Sequence, residues 1–368
     1  MAYNYDTGQD EQPIRQLNLL DTIYGSYVKK DRLAKLVFDT YSNSSIQNAT
    51  KLNVFIDINS VIHALYSEHN RIQYNNITDL SSGIINLCAH YRSYFRTLGV
   101  DTRYFLINSC NSHSINLKIL PDYNNVFIRK ASVTKTDKVI TNNMNLLKVL
   151  CPYLPGIYYI ESVENYETSV IIAYIIESIG TQIPNLIISR DIYSMQLTAL
   201  YKYTSYLRPV KGKEGDLSWM LPINEKESYR KEFWDKVMIT RKIQTKGLYE
   251  LSPINFALFL ALTKVPERSM NSLASPSAAY NFIYSLVGSE DIKIQSNQFM
   301  YSQELANKFP VAEIDARYKV LDVEYGLSFY RNSPEARGMQ FIDLEDAPTV
   351  NKISSKYYAN NPLELQKL

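Results

Sequence analysis

Three acidic side chains stand at positions where a protein can do metal-dependent chemistry. Asp57 ends the apolar run "NVFID", Asp191 follows the run "NLIISR", and Glu167 directly precedes an apolar helical segment. Mg²⁺ in proteins commonly uses one or two carboxylates together with substrate phosphates and water, so these residue types are compatible with a metal site. The alternative is structural, because an acid at a helix start can cap exposed N–H groups, which is worth about 0.5–2 kcal/mol.

The elements that must position these acids alternate between strands and helices. Short apolar runs at 51–57, 102–109 and 156–162 and at the start of 185–201 predict buried strands, and helical patterns lie between them, as at 81–98 and 168–180. This alternation predicts an α/β fold with a mostly parallel central sheet covered by helices on both faces. In such sheets, sites lie at the carboxyl ends of the strands, where Asp57, Asn108 and Asp191 fall.

The sequence changes in character after about residue 220. Residues 225–242 predict a charged helix, and 252–265 and 275–288 predict two helices joined by a short connection. Both of these begin with Ser-Pro, which is typical of a serine cap followed by proline at the first helical position. We therefore expect a helical module to follow the sheet.

This order of segments resembles the 5′-nuclease, or flap endonuclease, family of the PIN-like superfamily, over about residues 51–290. Five stretches carry the resemblance: "VFIDINSVIHALY", "YFLINS", "YETSVIIAYI", "LIISRDIYSMQL" and "LSPINFALFLALTKVPERSMNSLASPSAAYNFIYSLVG". The last is similar to the helix–three-turn–helix module that grips duplex phosphate in that family. The domains expected are an N-terminal extension (1–50), a PIN-like domain (51–220), the helical module (221–290) and a C-terminal extension with a disordered tail (291–368).

The resemblance implies a metal-dependent site, and the sequence departs from it. Flap endonucleases hydrolyse phosphodiesters with two divalent ions held by a cluster of carboxylates. Of the matching positions, this chain keeps Asp57, Glu167 and Asp191. Other acidic positions of the family are occupied by Asn108, Ser169, Val170 and Tyr193, and in the helical module by Val265 and Arg268, with Glu267 adjacent. Valine and tyrosine cannot replace aspartate as Mg²⁺ ligands, and Arg268 would repel the ion.

Two readings of the function follow. In the first, the chain is a pseudonuclease that binds no cofactor, or binds Mg²⁺ or Mn²⁺ weakly. In the second, Asp57, Glu167 and Asp191 form the smaller acidic set of a working metal-dependent 5′-nuclease. The first is favoured, because each remaining acid also has a structural explanation as a helix cap.

Nucleic-acid contacts are predicted at two places. The segment between Asn108 and Gly156 matches the arch through which a single strand passes in the family, and it carries a basic track of Lys118, Arg129, Lys130, Lys135 and Lys138. An ordinary solvated loop is the alternative. The connection "ERSMNSLASPSAAY" has no glycine, so close backbone approach to phosphate is harder there, and Arg268 is the candidate for a side-chain contact instead.

Composition limits the remaining choices. The chain has 368 residues, 45% of them hydrophobic, and Lys and Arg total 39 against 37 Asp and Glu, so net charge does not identify a nucleic-acid binder. Its 30 tyrosines can stack on bases or reflect an AT-rich genome. The N-terminus lacks an apolar signal core, the three cysteines have no metal spacing, and no apolar run approaches the ~20 residues that span a bilayer.

The predicted function combines these points. We expect a flap-endonuclease-like protein that binds DNA or RNA, or a protein partner, in viral or phage replication, transcription or virion assembly. It is expected in the host cytoplasm or the virion, with no membrane. In the extension, "YKVLDVEYGLSFY" (318–330) is expected to pack on the body. Gln340, Phe341, Ile342 and Leu344 form either a core strand, the favoured alternative, or a degenerate peptide of the kind that binds sliding clamps.

Overall fold

A six-stranded sheet organises the computed structural model of this chain. The residues it describes are 51–59, single positions between 81 and 96, 100–109, 114–121, 123, 135–162, 166–208, 218–220, single positions between 230 and 238, 250–265, 268, 270–295 and 310–339. The strands are β1 (Lys51–Asp57), β2 (Asp101–Ser109), β3 (Ile157–Ser162), β4 (Asn185–Ile188), β5 (Thr204–Arg208) and β6 (Ser218–Met220). Their order in the sheet is β3-β2-β1-β4-β5-β6.

The first five of these strands in sheet order are parallel, and β6 joins the edge antiparallel to β5. The predicted fold class, a mostly parallel central sheet flanked by helices, is confirmed. The central strands are buried on both faces: Phe55 belongs to the core on one side and Val54 and Ile56 to the core on the other. A parallel sheet covered on both sides requires such continuous apolar strands, and this explains why β1 and β2 could be found in the sequence.

Helices cover the two faces. In chain order they are α1 (Ser114–Ile119), α2 (Lys135–Leu150), α3 (Thr168–Ile179), α4 (Gln196–Leu200), α5 (Phe256–Leu262), α6 (Pro276–Val287), α7 (Val311–Leu321), α8 (Val323–Tyr330) and α9 (Pro334–Gly338). The described positions between 81 and 96 are also helical. Among the described helices, none is long and apolar enough to cross a membrane.

The two Ser-Pro signals begin helices as expected. The hydroxyl of Ser275 accepts a hydrogen bond from the Ala278 amide at 3.2 Å, and Pro276 is the first residue of α6. The Ser252 hydroxyl caps a short 3₁₀ turn in the same way before α5 begins at Phe256. The side chains of α5 are all buried, so the helical module is packed into the core of the molecule.

The C-terminal helices pack on the same core. Ile314, Tyr318, Leu327 and Tyr330 belong to the apolar cluster that includes α3 and α5. The Gln196 amide donates to the Leu321 carbonyl at 2.8 Å, which ties the start of α4 to the end of α7. The stretch 318–330 therefore packs on the body as predicted. Residues 1–50 and 340–368, including the Gln340–Leu344 peptide, lie outside the described residues.

The register of the sheet brings the predicted positions to one edge. Asp57 is the last residue of β1 and pairs with Ile107, directly before Asn108 in β2. Ile56 pairs with Ile188, the last residue of β4, and Asp191 follows three positions later. The prediction that Asp57, Asn108 and Asp191 share one edge of the sheet is confirmed.

Candidate functional site

Asp57 and Asp191 are linked through the short segment after β4. The Ser189 hydroxyl donates to Asp57 Oδ2 at 2.8 Å and accepts from the Asp191 amide at 3.0 Å. Both aspartates are buried. Ser189 thus connects the ends of two neighbouring strands. Sequence reasoning did not single it out, although it lies only two residues before Asp191.

Asp191 has the structural role that the capping alternative describes. It stands at the N-cap of the 3₁₀ helix Ile192–Met195, and its Oδ1 accepts from the Tyr193 amide at 3.1 Å. Its other carboxylate oxygen, Oδ2, accepts from Arg268. Capping therefore uses one oxygen and leaves the second for a cation.

Glu167 does not fit the capping alternative. It occupies the N-cap position of α3 with extended backbone, but its side chain makes no capping hydrogen bond. Instead, Oε1 accepts from the Tyr123 hydroxyl and Oε2 accepts from Arg268 Nη2 at 2.8 Å. Glu167 is buried, so what holds its carboxylate in the core is an ion pair and a phenol.

Arg268 is directed inward by the connection between α5 and α6. Val265 and Met270 form an isolated antiparallel bridge with two backbone hydrogen bonds, both 3.1 Å. Within this bridge, the Arg268 amide donates to the Val265 carbonyl at 3.0 Å. The bridge closes a tight turn that carries Arg268, and the side chain extends from it to the edge of the sheet.

The Arg268 guanidinium is the centre of the site and is fully buried. A single nitrogen, Nη2, donates to both Glu167 and Asp191, and Nε donates to the Tyr123 hydroxyl at 2.6 Å. The guanidinium carbon lies 5.5 Å from the centre of the Tyr193 ring, within the range of a cation–π contact. Sequence reasoning missed Tyr123 entirely, because nothing in its neighbourhood distinguishes it.

The electrostatics of this group keep the arginine charged. Burial lowers the pKa of Arg268, but the charges of Asp191 and then Glu167 outweigh it and raise that pKa well above its ordinary value. Burial also raises the pKa of Tyr123, against the opposing charge of Arg268. The phenol therefore stays neutral and donates a hydrogen bond to Glu167, while the guanidinium stays positive between two carboxylates.

The residues present do not fit the two-metal centre that the resemblance implies. No group of three or more acidic, histidine or cysteine side chains with metal-binding geometry occurs among the described residues. Ser169, Asn108 and Val170, where the resemblance would place acids, make packing or neutral hydrogen-bond contacts. Ser169 and Ser194 share a hydrogen bond of 2.7 Å, Asn108 donates to the Tyr159 hydroxyl at 2.9 Å, and Val170 packs against Gly326 of α8.

The predicted phosphate contact of Arg268 needs an exposed guanidinium. The structure contradicts that exposure, because the side chain is enclosed and its donors face Glu167, Asp191 and Tyr123. The physical reason is the closed turn between Val265 and Met270, which turns residue 268 toward the sheet. The neighbouring Glu267 lies outside the described residues.

The basic track is described in part. Lys118 on α1 and Lys138 on α2 are exposed, as a phosphate contact would require. Lys135 is the first residue of α2. Arg129 and Lys130 lie outside the described residues. A role for the track in binding stays a prediction.

Among known proteins, similarity to this chain was found in solved structures and not in sequence. No family model and no curated protein matches the chain. A flap endonuclease of bacteriophage T5, in a pseudo-enzyme–product complex with DNA and metal ions, aligns with a TM-score of 0.47 and 14% identity, covering 83% of this chain and 98% of its own. The T5 5′-exonuclease with bound zinc ions aligns with a TM-score of 0.48 and 13% identity, covering 83% and 98%. The fold class rests on the strand order and directions described above.

Proposed function

We propose that this chain is a catalytically degenerate protein of the flap-endonuclease type that acts by binding rather than by cleavage. Its ligand is nucleic acid, DNA or RNA, and a protein partner within a larger assembly is the other candidate. We place it in viral or phage replication, transcription or virion assembly, in the host cytoplasm or the virion. The sequence resemblance over five ordered stretches supports the nuclease-type origin.

One observation carries the loss of catalysis. Two of the three retained acids, Glu167 and Asp191, are paired with the buried guanidinium of Arg268. A hard divalent ion needs several oxygen ligands, and these oxygens are already engaged by a permanent positive charge. Asp57 remains at the sheet edge with Ser189, but one aspartate cannot assemble a two-ion site.

A cleavage assay tests this proposal. Purified protein is incubated with flap, nicked and single-stranded DNA in Mg²⁺ or Mn²⁺, beside an Asp57→Ala/Asp191→Ala variant that controls for contaminating nuclease. We expect the wild type to cleave these substrates no more than the double variant does. Robust cleavage that the double substitution abolishes would establish the second candidate, a working nuclease with a reduced acidic set. The observation that supports this second candidate is the shared position of the three acids at one edge of the sheet.

A binding assay tests the second half of the proposal. If the basic track follows a phosphate backbone, neutralising Arg129, Lys130 and Lys135 together should weaken DNA binding and flatten its salt dependence. Each duplex phosphate contact contributes about −0.9 to the slope of log K against log[salt], so the slope should change by about 2–3. An unchanged slope assigns these residues to a solvated loop and favours the protein partner.

A further inference from the structure

Arg268 joins parts of the chain that are far apart in sequence. Its partners Tyr123, Glu167 and Asp191 are 145, 101 and 77 residues away. They come from the segment after α1, the start of α3 and the segment after β4. One side chain therefore holds the α5–α6 connection against three separate elements at the carboxyl edge of the sheet.

Arg268 Nη2 places a positive charge between two carboxylates. The nitrogen contacts one oxygen of Glu167 at 2.8 Å and one oxygen of Asp191, which accepts from the same atom. A cation shared by these two carboxylates would have to lie between the same two oxygens. Arginine supplies its charge there permanently, and its Nε donates to the Tyr123 hydroxyl as well.

The connection that carries Arg268 is also held from its other side. Arg317 of α7 donates through Nη1 to the Asn271 carbonyl at 2.6 Å, and its Nη2 donates to Glu313 at 2.6 Å. Together with the bridge between Val265 and Met270, this contact fixes the backbone from which Arg268 extends. Backbone hydrogen bonds within the connection and a side-chain contact from α7 thus both support the position of the guanidinium.

We propose that Arg268 is an internal cation that takes the place of divalent metal in this fold. It neutralises Glu167 and Asp191 and holds the helical module against the sheet, so that the chain folds without metal. This inference rests on the proposed loss of catalysis and names the residue that makes metal unnecessary. Removing the arginine leaves the carboxylates of Glu167 and Asp191 without the cation that they share, and Mn²⁺ added from solution tests whether a divalent ion can replace it.

Thermal melting in EDTA and in Mn²⁺ tests the proposal on the full chain. The variant is Arg268→Ala, and the matched control is Arg331→Ala, because Arg331 also pairs with a glutamate, Glu177, but is half exposed. We expect wild type and control to melt at the same temperature in both buffers. Arg268→Ala should melt about 6–20 °C lower in EDTA. It should recover about 5–10 °C with Mn²⁺ at 100 times its Kd.

Three results would overturn the proposal. The first is a rise in the wild-type melting temperature with Mn²⁺, and the second is an unchanged melting temperature of Arg268→Ala in EDTA. The third is a loss of stability in Arg268→Ala with no recovery in Mn²⁺. If the variant does not fold in EDTA, its refolding yield with and without Mn²⁺ gives the same comparison. Cleavage by the wild type is measured separately. If Mn²⁺ stabilises the wild type but no cleavage is seen, the proposal that Arg268 replaces a metal ion is refuted, and the proposed loss of catalysis is not.

Discussion

Replacing Glu167 by glutamine tests the buried ion pair with the smallest change of shape. Glu167 accepts from the Tyr123 hydroxyl with one oxygen and from Arg268 with the other. Glutamine keeps the volume but removes the charge and turns one acceptor into a donor. That donor must then face either the phenol or the guanidinium, both of which donate.

The magnitude follows from the burial of the pair. Removing one partner of a buried ion pair costs about 3–5 kcal/mol, because the other charge is left without compensation. Arg268 keeps Asp191 in this variant, so we expect the lower end, about 3 kcal/mol. For a domain of a few hundred residues this corresponds to a melting temperature lower by about 6–12 °C.

The same helix supplies the control. Glu177, in the last turn of α3, pairs with Arg331, and both side chains are partly exposed, 31% and 51%. Glu177→Gln is the same chemical change, and an exposed pair is worth at most about 1 kcal/mol. Urea unfolding followed by tryptophan fluorescence gives both free energies, since Trp234 is buried in the core.

One result would refute the reasoning. If Glu167→Gln and Glu177→Gln are destabilised equally, the pair with Arg268 contributes no more than a surface pair. A double-mutant cycle with Arg268→Met then measures the coupling directly. We expect a coupling of about 1–3 kcal/mol, as for residues that share a buried network.

Three further predictions concern other parts of the chain. A Cβ at Gly326 would lie 2.7 Å from Val170 Cγ2, so Gly326→Ala should cost about 1–3 kcal/mol in urea unfolding, and adding Val170→Ala should restore much of it. Burial raises the pKa of Cys151 to about 12 and also raises the pKa of Cys88, so both thiols should resist a thiol reagent at pH 8 until the protein is unfolded. Labelling of either in the native protein, located by peptide mapping, would contradict this. Phe341→Ala should cost about 3–5 kcal/mol if residues 340–344 form a core strand, whereas an unchanged melting temperature with loss of a partner in pull-down would identify an interaction peptide.

The sheet and its polar edge could be predicted because their signals are local. Val54, Phe55 and Ile56 form a run that only a strand buried on both faces explains, and Asp57 ends it. The parallel direction of the strands follows from the helices between them, and it places Asp57, Asn108 and Asp191 at one edge. The Ser-Pro pairs at 252 and 275 are local signals too, because each serine caps the helical turn that begins at the next residue.

The C-terminal helices were only weakly signalled. Asp322 is both the C-cap of α7 and the N-cap of α8, so the stretch 318–330 divides between two short helices. Their apolar side chains could be recognised as core, but the glycine at 326 could not be explained from the sequence. Its close approach to Val170, on a helix more than a hundred residues earlier, exists only in the folded chain.

By itself, the sequence determined which acidic residues lie near the ends of the strands, and where those strands end. Only the tertiary structure decided what these acids bind. Arg268 could be singled out through the resemblance that the sequence suggested, but its direction depends on the bridge between Val265 and Met270. Its partners lie 77 to 145 residues away. A buried guanidinium needs carboxylates and a phenol around it, and chain segments so distant in sequence are brought together only by the packing of the helical module on the sheet.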